Sequence, residues 1–240
     1  MPCDLSLPAM AQKKLQRFAD IKTFSNVLEY PADMKGNWNP FFKNTNPVVL
    51  ELACGRGEYT LGLAQLFPDR NFIGVDVKGN RMYIGAKKCL AGNITNAGFL
   101  RTQIEKLPDY FSVGEVDEIW ITFPDPQLRI SKAKKRLTHP RFLRLYQQII
   151  KPGGFIHLKT DSPDLYHFTK LVSELYGLTI VEDSDNIYAE PDIKEALKIK
   201  THYESLDIAQ SKKIHYLKFS LPDTIKNIDD RLQQILRDEE

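Results

Sequence analysis

The stretch VVLELACGRGEYT, residues 48–60, decides the fold of this chain. Its apolar beginning is short enough for a buried strand of a parallel sheet. Gly55 and Gly57 then form a small-residue turn, and apolar side chains recur at helical spacing from Tyr59 onward. Strand, glycine turn and helix in this order form the nucleotide-binding unit of doubly wound α/β folds. Glycines suit such a turn because they adopt backbone angles closed to other residues and let a ligand approach the main chain.

Two residues of this stretch indicate which nucleotide it binds. The dinucleotide fingerprint requires Gly or Ala at its last place, where this chain has Thr60. Glu51 ends the strand, where its carboxylate would repel a pyrophosphate and favour a ligand with positive charge. S-adenosylmethionine carries a sulfonium and an ammonium, and the pattern E-x-x-C-G-x-G resembles the first motif of class I methyltransferases. We therefore predict a site for this donor at Glu51, Gly55 and Gly57; the alternative is an ordinary tight turn before a helix.

Polar residues end the next two predicted strands. Residues 71–76 end in Asp76, 19 residues after Gly57. An acid at about this distance from the glycine turn typically accepts hydrogen bonds from ribose hydroxyls. The alternative for Asp76 is an N-cap of the helix predicted over residues 79–91. Residues 98–102 form the third strand, whose end should touch the adenine of the donor through Thr102 and Gln103.

Two further acids follow the fourth and fifth predicted strands. Residues 116–121 run directly into the segment TFPDP, which contains Asp125, and residues 155–161 end at Asp161. Ligand sites in open parallel sheets lie beyond the carboxyl ends of the strands. We therefore expect Asp125 and Asp161 to lie at the same crevice as Glu51 and Asp76.

Two more strands complete the predicted sheet. Residues 178–181 form one, and side chains alternate over residues 213–221 as in an antiparallel edge strand. The predicted fold class is α/β, with a doubly wound, mostly parallel seven-stranded sheet and an antiparallel edge strand. Residues 1–46 are predicted to be an arm that packs on the domain or on a partner, the alternative being a partly disordered tail. Residues 47–221 form the domain, and residues 222–240 contain a helix docked on it.

Basic residues are concentrated between positions 129 and 144. The segment has no acid and contains Arg129, Lys132, Lys134, Lys135, Arg136, Arg141 and Arg144. A one-sign block beside a ligand crevice is typical of a surface that contacts the phosphates of a nucleic acid. We expect Lys132, Lys134, Lys135 and Arg136 to contact RNA phosphates. The alternative is a solvated helix face, although such faces normally mix both signs.

The composition is that of an ordinary globular protein. The chain has 240 residues and a net charge of +2, so the overall charge does not indicate a nucleic-acid-binding protein. It contains no run of the roughly 18 apolar residues needed to span a membrane, and its N-terminus lacks the apolar core of a signal peptide. Cys3, Cys54 and Cys89 have no metal-ligand spacing. We expect a protein of the reducing cytoplasm, without a metal and without a membrane partner.

Five segments together resemble the bacterial tRNA (guanine-N(7))-methyltransferase family. They are ELACGRGEY, GVDVKGNR, FPDP with the basic run that ends in KKRLTHPRFL, KPGGFIHLKTDSPDLY, and the late THYE. The match covers about residues 48–221, and the order and spacing of the segments make it specific. The resemblance implies a class I fold, S-adenosylmethionine as donor and a guanosine in the tRNA variable loop as acceptor. We expect tRNA as the partner and a monomer or a homodimer.

The resemblance also implies roles for individual residues. The positions that match the family's donor site are Glu51, Asp76, Thr102, Gln103 and Asp125. The positions that match its substrate side are Arg129, Asp161, Thr201, Tyr203 and Glu204. Two departures stand out: Gln127 and Leu128 occupy the place of a Trp and its neighbour, and Thr102-Gln103 replaces an Asp-Ala pair. Arg129 stands where a Lys is usual, which keeps the charge and presents a planar fork.

The implied chemistry needs no general base. The N7 atom of guanine has an in-plane lone pair and no proton, so the enzyme has mainly to hold nitrogen, methyl and sulfur in line. We expect Asp125 to orient the base or the donor's amino group, and Asp161 and Glu204 to accept hydrogen bonds from the guanine N–H groups. The alternatives are a non-catalytic tRNA-binding or partner subunit that keeps the fold, and a methyltransferase with another RNA, a protein or a small molecule as substrate.

Overall fold

An eight-stranded sheet forms the centre of the structure, a computed structural model that describes residues 9–206 and 213–238. Across the sheet the strands follow the order β1-β4-β3-β2-β5-β6-β8-β7. Their bounds are β1 Val27–Glu29, β2 Val48–Leu52, β3 Asn71–Asp76, β4 Ala97–Arg101, β5 Val116–Thr122, β6 Ile150–Thr160, β7 Thr179–Ser184 and β8 His215–Ser220. The strands from β1 to β6 pair in parallel, and β8 is antiparallel to both β6 and β7.

Ten α-helices accompany the strands within the described residues. They are α1 Ala9–Ile21, α2 Trp38–Phe42, α3 Glu58–Leu66, α4 Gly79–Ala91, α5 Leu107–Tyr110, α6 Pro140–Gln147, α7 Pro163–Tyr176, α8 Glu195–Lys198, α9 His202–Leu206 and α10 Asp229–Asp238. Three short 3-10 helices lie at Ile104–Lys106, Ile130–Lys135 and Ile187–Ala189. Helices of α/β folds cover both faces of such a sheet, and the predicted fold class is confirmed.

The central strands are buried on both faces. Every residue of β2 and β3 is buried. Leu50 and Leu52 belong to one apolar core cluster and Val49 to another, so alternate side chains of β2 enter different cores. The chain order reverses at β2, which pairs with β3 on one side and β5 on the other. Such a reversal opens a crevice at the carboxyl ends of the strands.

The N-terminal segment contributes a strand and a helix that the sequence pattern did not predict. Val27 of β1 pairs with Phe99 of β4, which makes the sheet eight-stranded. Trp38 is almost fully buried, and its indole N–H donates to the carbonyl oxygen of Tyr110 at 2.9 Å. A three-residue strand has too little periodicity to be predicted, because pairing with β4 is what defines it. Cys3 lies outside the described residues.

The antiparallel strand β8 lies one place inside the sheet, not at its edge. It pairs with β6 on one side and β7 on the other, so the predicted edge position is corrected. A polar side chain of β8 has a partner there: the Tyr216 hydroxyl and His157 Nδ1 are 2.8 Å apart. Partnered polar side chains let an alternating strand be buried on both faces. In contrast, β7 exposes half of its residues, as an edge strand does.

The C-terminal helix docks on the domain through apolar and charged contacts. Leu232 and Leu236 of α10 are buried in the main core cluster. Arg144 of α6 forms a bidentate ion pair with Asp229 at 2.7 and 3.0 Å.

No helix in the described part of the chain is long and apolar enough to cross a membrane.

Candidate active site

A cavity of about 1120 Å³ opens at the carboxyl ends of β2, β3, β5 and β6. The predicted site residues that line it are Glu51, Gly55, Asp76, Asp125, Asp161, Thr201 and Tyr203. Those that do not line it are Gly57, Thr102, Gln103, Arg129 and Glu204. Four acids predicted from strand ends therefore share one crevice, as the chain direction requires.

Glu51 lies at the base of this cavity with its carboxylate held from two sides. One oxygen accepts hydrogen bonds from the Thr60 backbone N–H at 2.7 Å and from the Thr60 hydroxyl. The other accepts from the Thr122 hydroxyl at 2.9 Å. Burial raises the pKa of the Glu51 carboxyl to about 7, although these hydrogen bonds act in the opposite direction. A cation bound beside this buried carboxyl would favour its ionised form.

Thr60 and Thr122 are functional residues that the sequence reasoning missed. In the sequence, Thr60 serves only to exclude the dinucleotide fingerprint, and Thr122 is only the first residue of the loop segment TFPDP. The positional signal for Thr60 was present: it lies nine residues after a buried acid, in the first turn of α3, where its N–H has no helical partner. The buried acid supplies that partner.

The Asp76 carboxylate accepts hydrogen bonds from two loops that border the crevice. One oxygen accepts from the Gly55 N–H at 2.9 Å and the other from the Lys78 N–H at 2.8 Å. Gly55 has a φ of 56°, the left-handed conformation that the predicted turn requires. The carboxylate thus organises the glycine turn and the start of α4 while it lines the cavity.

Three residues that are predicted to contact the donor do not line the cavity. Gly57 does not line the cavity; a Cβ there would lie 2.5 Å from the Phe99 ring, so this glycine permits close packing of the turn on β4. Thr102 is fully buried, and its backbone N–H donates to the Asp76 carbonyl at 3.2 Å. Gln103 is exposed and does not belong to the lining.

The loop that carries Asp125 has an unusual backbone. Phe123 and Gln127 have φ values of 46° and 49°, a region that non-glycine residues adopt at a cost of about 1–3 kcal/mol. One Asp125 oxygen accepts from the Gln127 N–H at 3.0 Å. Leu128 is exposed and lines the cavity. Backbone strain of this kind clusters at active sites.

Arg136, which is predicted to contact RNA phosphate, is buried and donates to the backbone of this loop. Its side chain is buried, with the residue only 4% exposed. The guanidinium donates to the carbonyl oxygens of Gln127 at 3.2 Å and Leu128 at 3.3 Å, and lies 4.5 Å from the centroid of the Phe168 ring. Arginine's planar fork suits such a buried brace.

The remaining basic residues divide into two groups. Arg141 pairs with Glu105 at 3.3 Å and Arg144 pairs with Asp229, so both are engaged within the chain. Four exposed residues form what we call the basic lip: Arg129, Lys132, Lys134 and Lys135. Among residues 15–206 and 213–238, none of these four forms an ion pair. Arg129 follows Leu128, so the basic lip begins at the cavity mouth.

The segment 195–206, which we call the strap, lines the far side of the cavity. Thr201, His202 and Tyr203 belong to the lining. Glu204 does not: its carboxylate pairs with Lys159 at 2.9 Å and accepts a hydrogen bond from the Tyr188 hydroxyl. Both oxygens of Glu204, which is predicted to accept from guanine, therefore have partners inside the protein.

The chain can now be compared with known proteins. The protein-family model described as "Putative methyltransferase" matches residues 45–217, which is most of the chain. The chain belongs to this methyltransferase family. Its match spans all strands from β2 to β7 and the beginning of β8, together with every acid that lines the crevice.

Two proteins with similar sequences support the assignment to this methyltransferase family, and one solved structure supports the fold. The tRNA (guanine-N(7)-)-methyltransferase of Bacteroides thetaiotaomicron is 46% identical over 222 residues, covering 89% of this chain and 87% of its own. That of Porphyromonas gingivalis is 48% identical over 213 residues, covering 84% and 86%. The solved 16S rRNA methyltransferase KamB has a TM-score of 0.60 at 17% identity and covers 78% of this chain and 94% of that one. At that identity the likeness shows the fold alone.

Carboxylates from four strand ends are among the polar groups of the cavity lining. Within the described ranges, no group of three or more His, Cys, Asp or Glu side chains is arranged to hold a metal ion. Cys54 lines the cavity, and burial raises the pKa of its thiol well above the ordinary value. A thiol with a raised pKa is a poor nucleophile, so its contribution is to packing.

The burial of Arg136 indicates that replacing this residue lowers the stability of the protein. Replacing Arg136 with Ala leaves two loop carbonyls without partners, so we expect the free energy of unfolding to fall by roughly 2–4 kcal/mol. Lys135→Ala is the matched control, because this neighbouring side chain is exposed, and it should change stability by about 0.5 kcal/mol or less. Urea unfolding measures both. Equal stability of the two variants would mean that the Arg136 guanidinium is solvated.

Proposed function

We propose that this protein transfers a methyl group from S-adenosylmethionine to N7 of a guanosine in the variable loop of tRNA. The observation that carries the proposal is the 46–48% identity, over 84–89% of the chain, to proteins named tRNA (guanine-N(7)-)-methyltransferase. The acid-lined crevice and the adjacent basic lip agree with this activity in their chemistry.

The residues of the crevice suit a cationic donor. Glu51, Asp76, Asp125 and Asp161 line one cavity, and carboxylates favour a sulfonium and an ammonium. Pockets for small molecules commonly measure about 300–1,000 Å³. The cavity of about 1120 Å³ therefore has room for the donor and for an inserted base.

The chain's own residues have to orient two partners and stabilise charge. The donor, when bound, supplies an electrophilic methyl group. The acceptor nitrogen has a lone pair and no proton to lose, so no side chain needs to act as a base. Asp125 accepts a hydrogen bond from the Gln127 N–H and orients the base or the amino group of S-adenosylmethionine. Asp161 offers a carboxylate to the guanine edge. The methylated ring is cationic, and nearby carboxylates stabilise that charge as it develops.

The direct test is to map the modified nucleoside. Unmodified tRNA is incubated with the protein and S-adenosylmethionine, and the RNA is digested and analysed by mass spectrometry. We expect 7-methylguanosine at one position of the variable loop. A methyl group on another base or another RNA would indicate a different acceptor. Donor binding without any methyl transfer, in calorimetry and single turnover, would indicate a non-catalytic tRNA-binding protein.

Asp125→Asn tests the orienting role. The substitution keeps the size and one acceptor oxygen but removes the charge. We expect kcat/KM to fall on the order of tenfold to a hundredfold, because small losses of alignment are costly in a direct transfer. Asp109→Asn, at an exposed acid of α5, is the control and should be neutral. Wild-type rate and affinity for both substrates in Asp125→Asn would make the assignment wrong.

Glu51 should couple donor binding to pH. Because burial raises the pKa of its carboxyl to about 7, the donor-free protein holds a largely neutral acid below that pH. A bound cation favours the ionised form, so linkage requires affinity to rise with pH through this range. We expect the Kd for S-adenosylmethionine, measured by calorimetry, to fall between about pH 6 and about pH 8. Glu51→Gln should lose this dependence, and a wild-type Kd that stays constant would contradict the coupling.

The basic lip should contribute to the salt dependence of tRNA binding. For Lys134→Gln combined with Lys135→Gln, the slope of log K against log salt concentration should decrease by about 1.5–2, since each lost phosphate contact removes roughly one unit. Lys43→Gln with Lys151→Gln changes the net charge equally near the amino ends of β2 and β6, away from the crevice. This control should leave the slope unchanged. An unaltered slope in the first variant would reject the basic lip as an RNA surface.

A further inference from the structure

Lys159 is a fully buried lysine at the carboxyl end of β6. Its ammonium makes three hydrogen bonds, each of 2.9 Å, to the carbonyl oxygens of Leu197 and Ile199 and to the Glu204 carboxylate. The side chain of Lys159 is 0% exposed and that of Glu204 is 4% exposed. A buried ammonium has three protons to satisfy, and all three are bonded to one short segment of chain, the strap.

The strap depends on these bonds because it has little structure of its own. Its helices α8 and α9 contain four and five residues, too few for a stable helix in water. On α3, the Tyr59 hydroxyl donates to the Ala196 carbonyl at 2.5 Å, and Ile199 packs on Gly62. Elsewhere, the Tyr188 hydroxyl donates to the Glu204 carboxylate, and Arg81 of α4 lies 5.9 Å from the centroid of the Tyr203 ring. Within the described residues, the ammonium of Lys159 is the group that joins both halves of the strap to the sheet.

The strap is also what completes the cavity on its far side. Thr201, His202 and Tyr203 lie between the carbonyl of Ile199 and the carboxylate of Glu204, two of the three groups that Lys159 bonds. The Thr201 hydroxyl accepts from the Glu204 N–H at 3.1 Å, which closes the first turn of α9. The three lining residues are therefore held at both of their flanks by one side chain.

We propose that Lys159 is a positioning residue that holds the strap against the sheet and so places Thr201, His202 and Tyr203 to receive the acceptor base. Glu204 acts through Lys159 and does not contact the base. The inference rests on the proposed function for the nature of the acceptor, a base of tRNA. It assigns Lys159 and Glu204 to one unit, and units of this kind have non-additive effects when their members are replaced.

The test compares Lys159→Met, Glu204→Gln and the double variant by steady-state kinetics on tRNA. We expect the KM for tRNA to rise on the order of tenfold in each, because a broken buried pair is costly. The Kd for S-adenosylmethionine should stay within about twofold of the wild-type value, since the donor is held by residues on other elements. The double variant should resemble the single variants. Lys151→Met, on the same strand, removes only an exposed ion pair with Asp117 and should behave as wild type.

Hydrogen exchange on the donor-free protein gives a second readout that needs no activity. Amides of the strap should exchange faster in Lys159→Met and Glu204→Gln, while those of β6 and α3 should not. If Lys159→Met fails to fold, Glu204→Gln and Tyr188→Phe test the same unit through the carboxylate. Unchanged exchange of the strap in Glu204→Gln would overturn the proposal.

The kinetic outcomes separate this inference from the proposed function. Multiplicative effects in the double variant, or loss of activity in Glu204→Gln with full activity in Lys159→Met, would show that Glu204 contacts the base directly and would overturn the inference. A wild-type protein that methylates no tRNA would refute the proposed function, and the exchange experiment would still decide whether Lys159 holds the strap.

Discussion

The burial of the Glu51 carboxylate is the constraint on which the rest of the site depends. Parallel strands covered on both faces leave no solvent for an acid at a strand end, so the acid needs partners in the protein. Thr60 and Thr122 provide them and thereby connect the glycine turn, α3 and the loop after β5. The remaining cost of burial raises the pKa of the carboxyl to about 7, which prepares it for a cationic ligand.

Two buried cations hold the segments that face this acid. Arg136 donates to the carbonyls of the loop that carries Asp125, and Lys159 donates to the carbonyls of the strap. Loops and short helices have backbone acceptors without partners, and a charged donor satisfies them more strongly than a neutral one. The crevice is therefore acidic where a cationic donor would bind and is supported by cations one layer behind its surface.

Residue type and position predicted much of the crevice but failed where burial decided the role. Arg136 and Lys135 are adjacent basic residues in one segment, yet the first is buried and the second exposed. Nothing in the neighbouring sequence distinguishes the two residues. Arg136 is buried because its guanidinium contacts Phe168 of α7 and the carbonyl oxygen of Gln127, which lie on other elements. The partner of Glu204 was equally out of reach of local sequence, because Lys159 lies 45 residues away.

The sequence by itself determined the α/β class, the glycine turn and the meeting of Glu51, Asp76, Asp125 and Asp161. It could do so because strand period, chain direction and the rule that parallel strands end at one edge are all local or topological facts. Only the tertiary structure decided that β1 joins the sheet, that β8 lies inside its edge, and which charged groups face solvent. Those outcomes depend on pairing and desolvation between distant segments. A charged side chain is hydrated at the surface, whereas a buried one needs a partner within the protein.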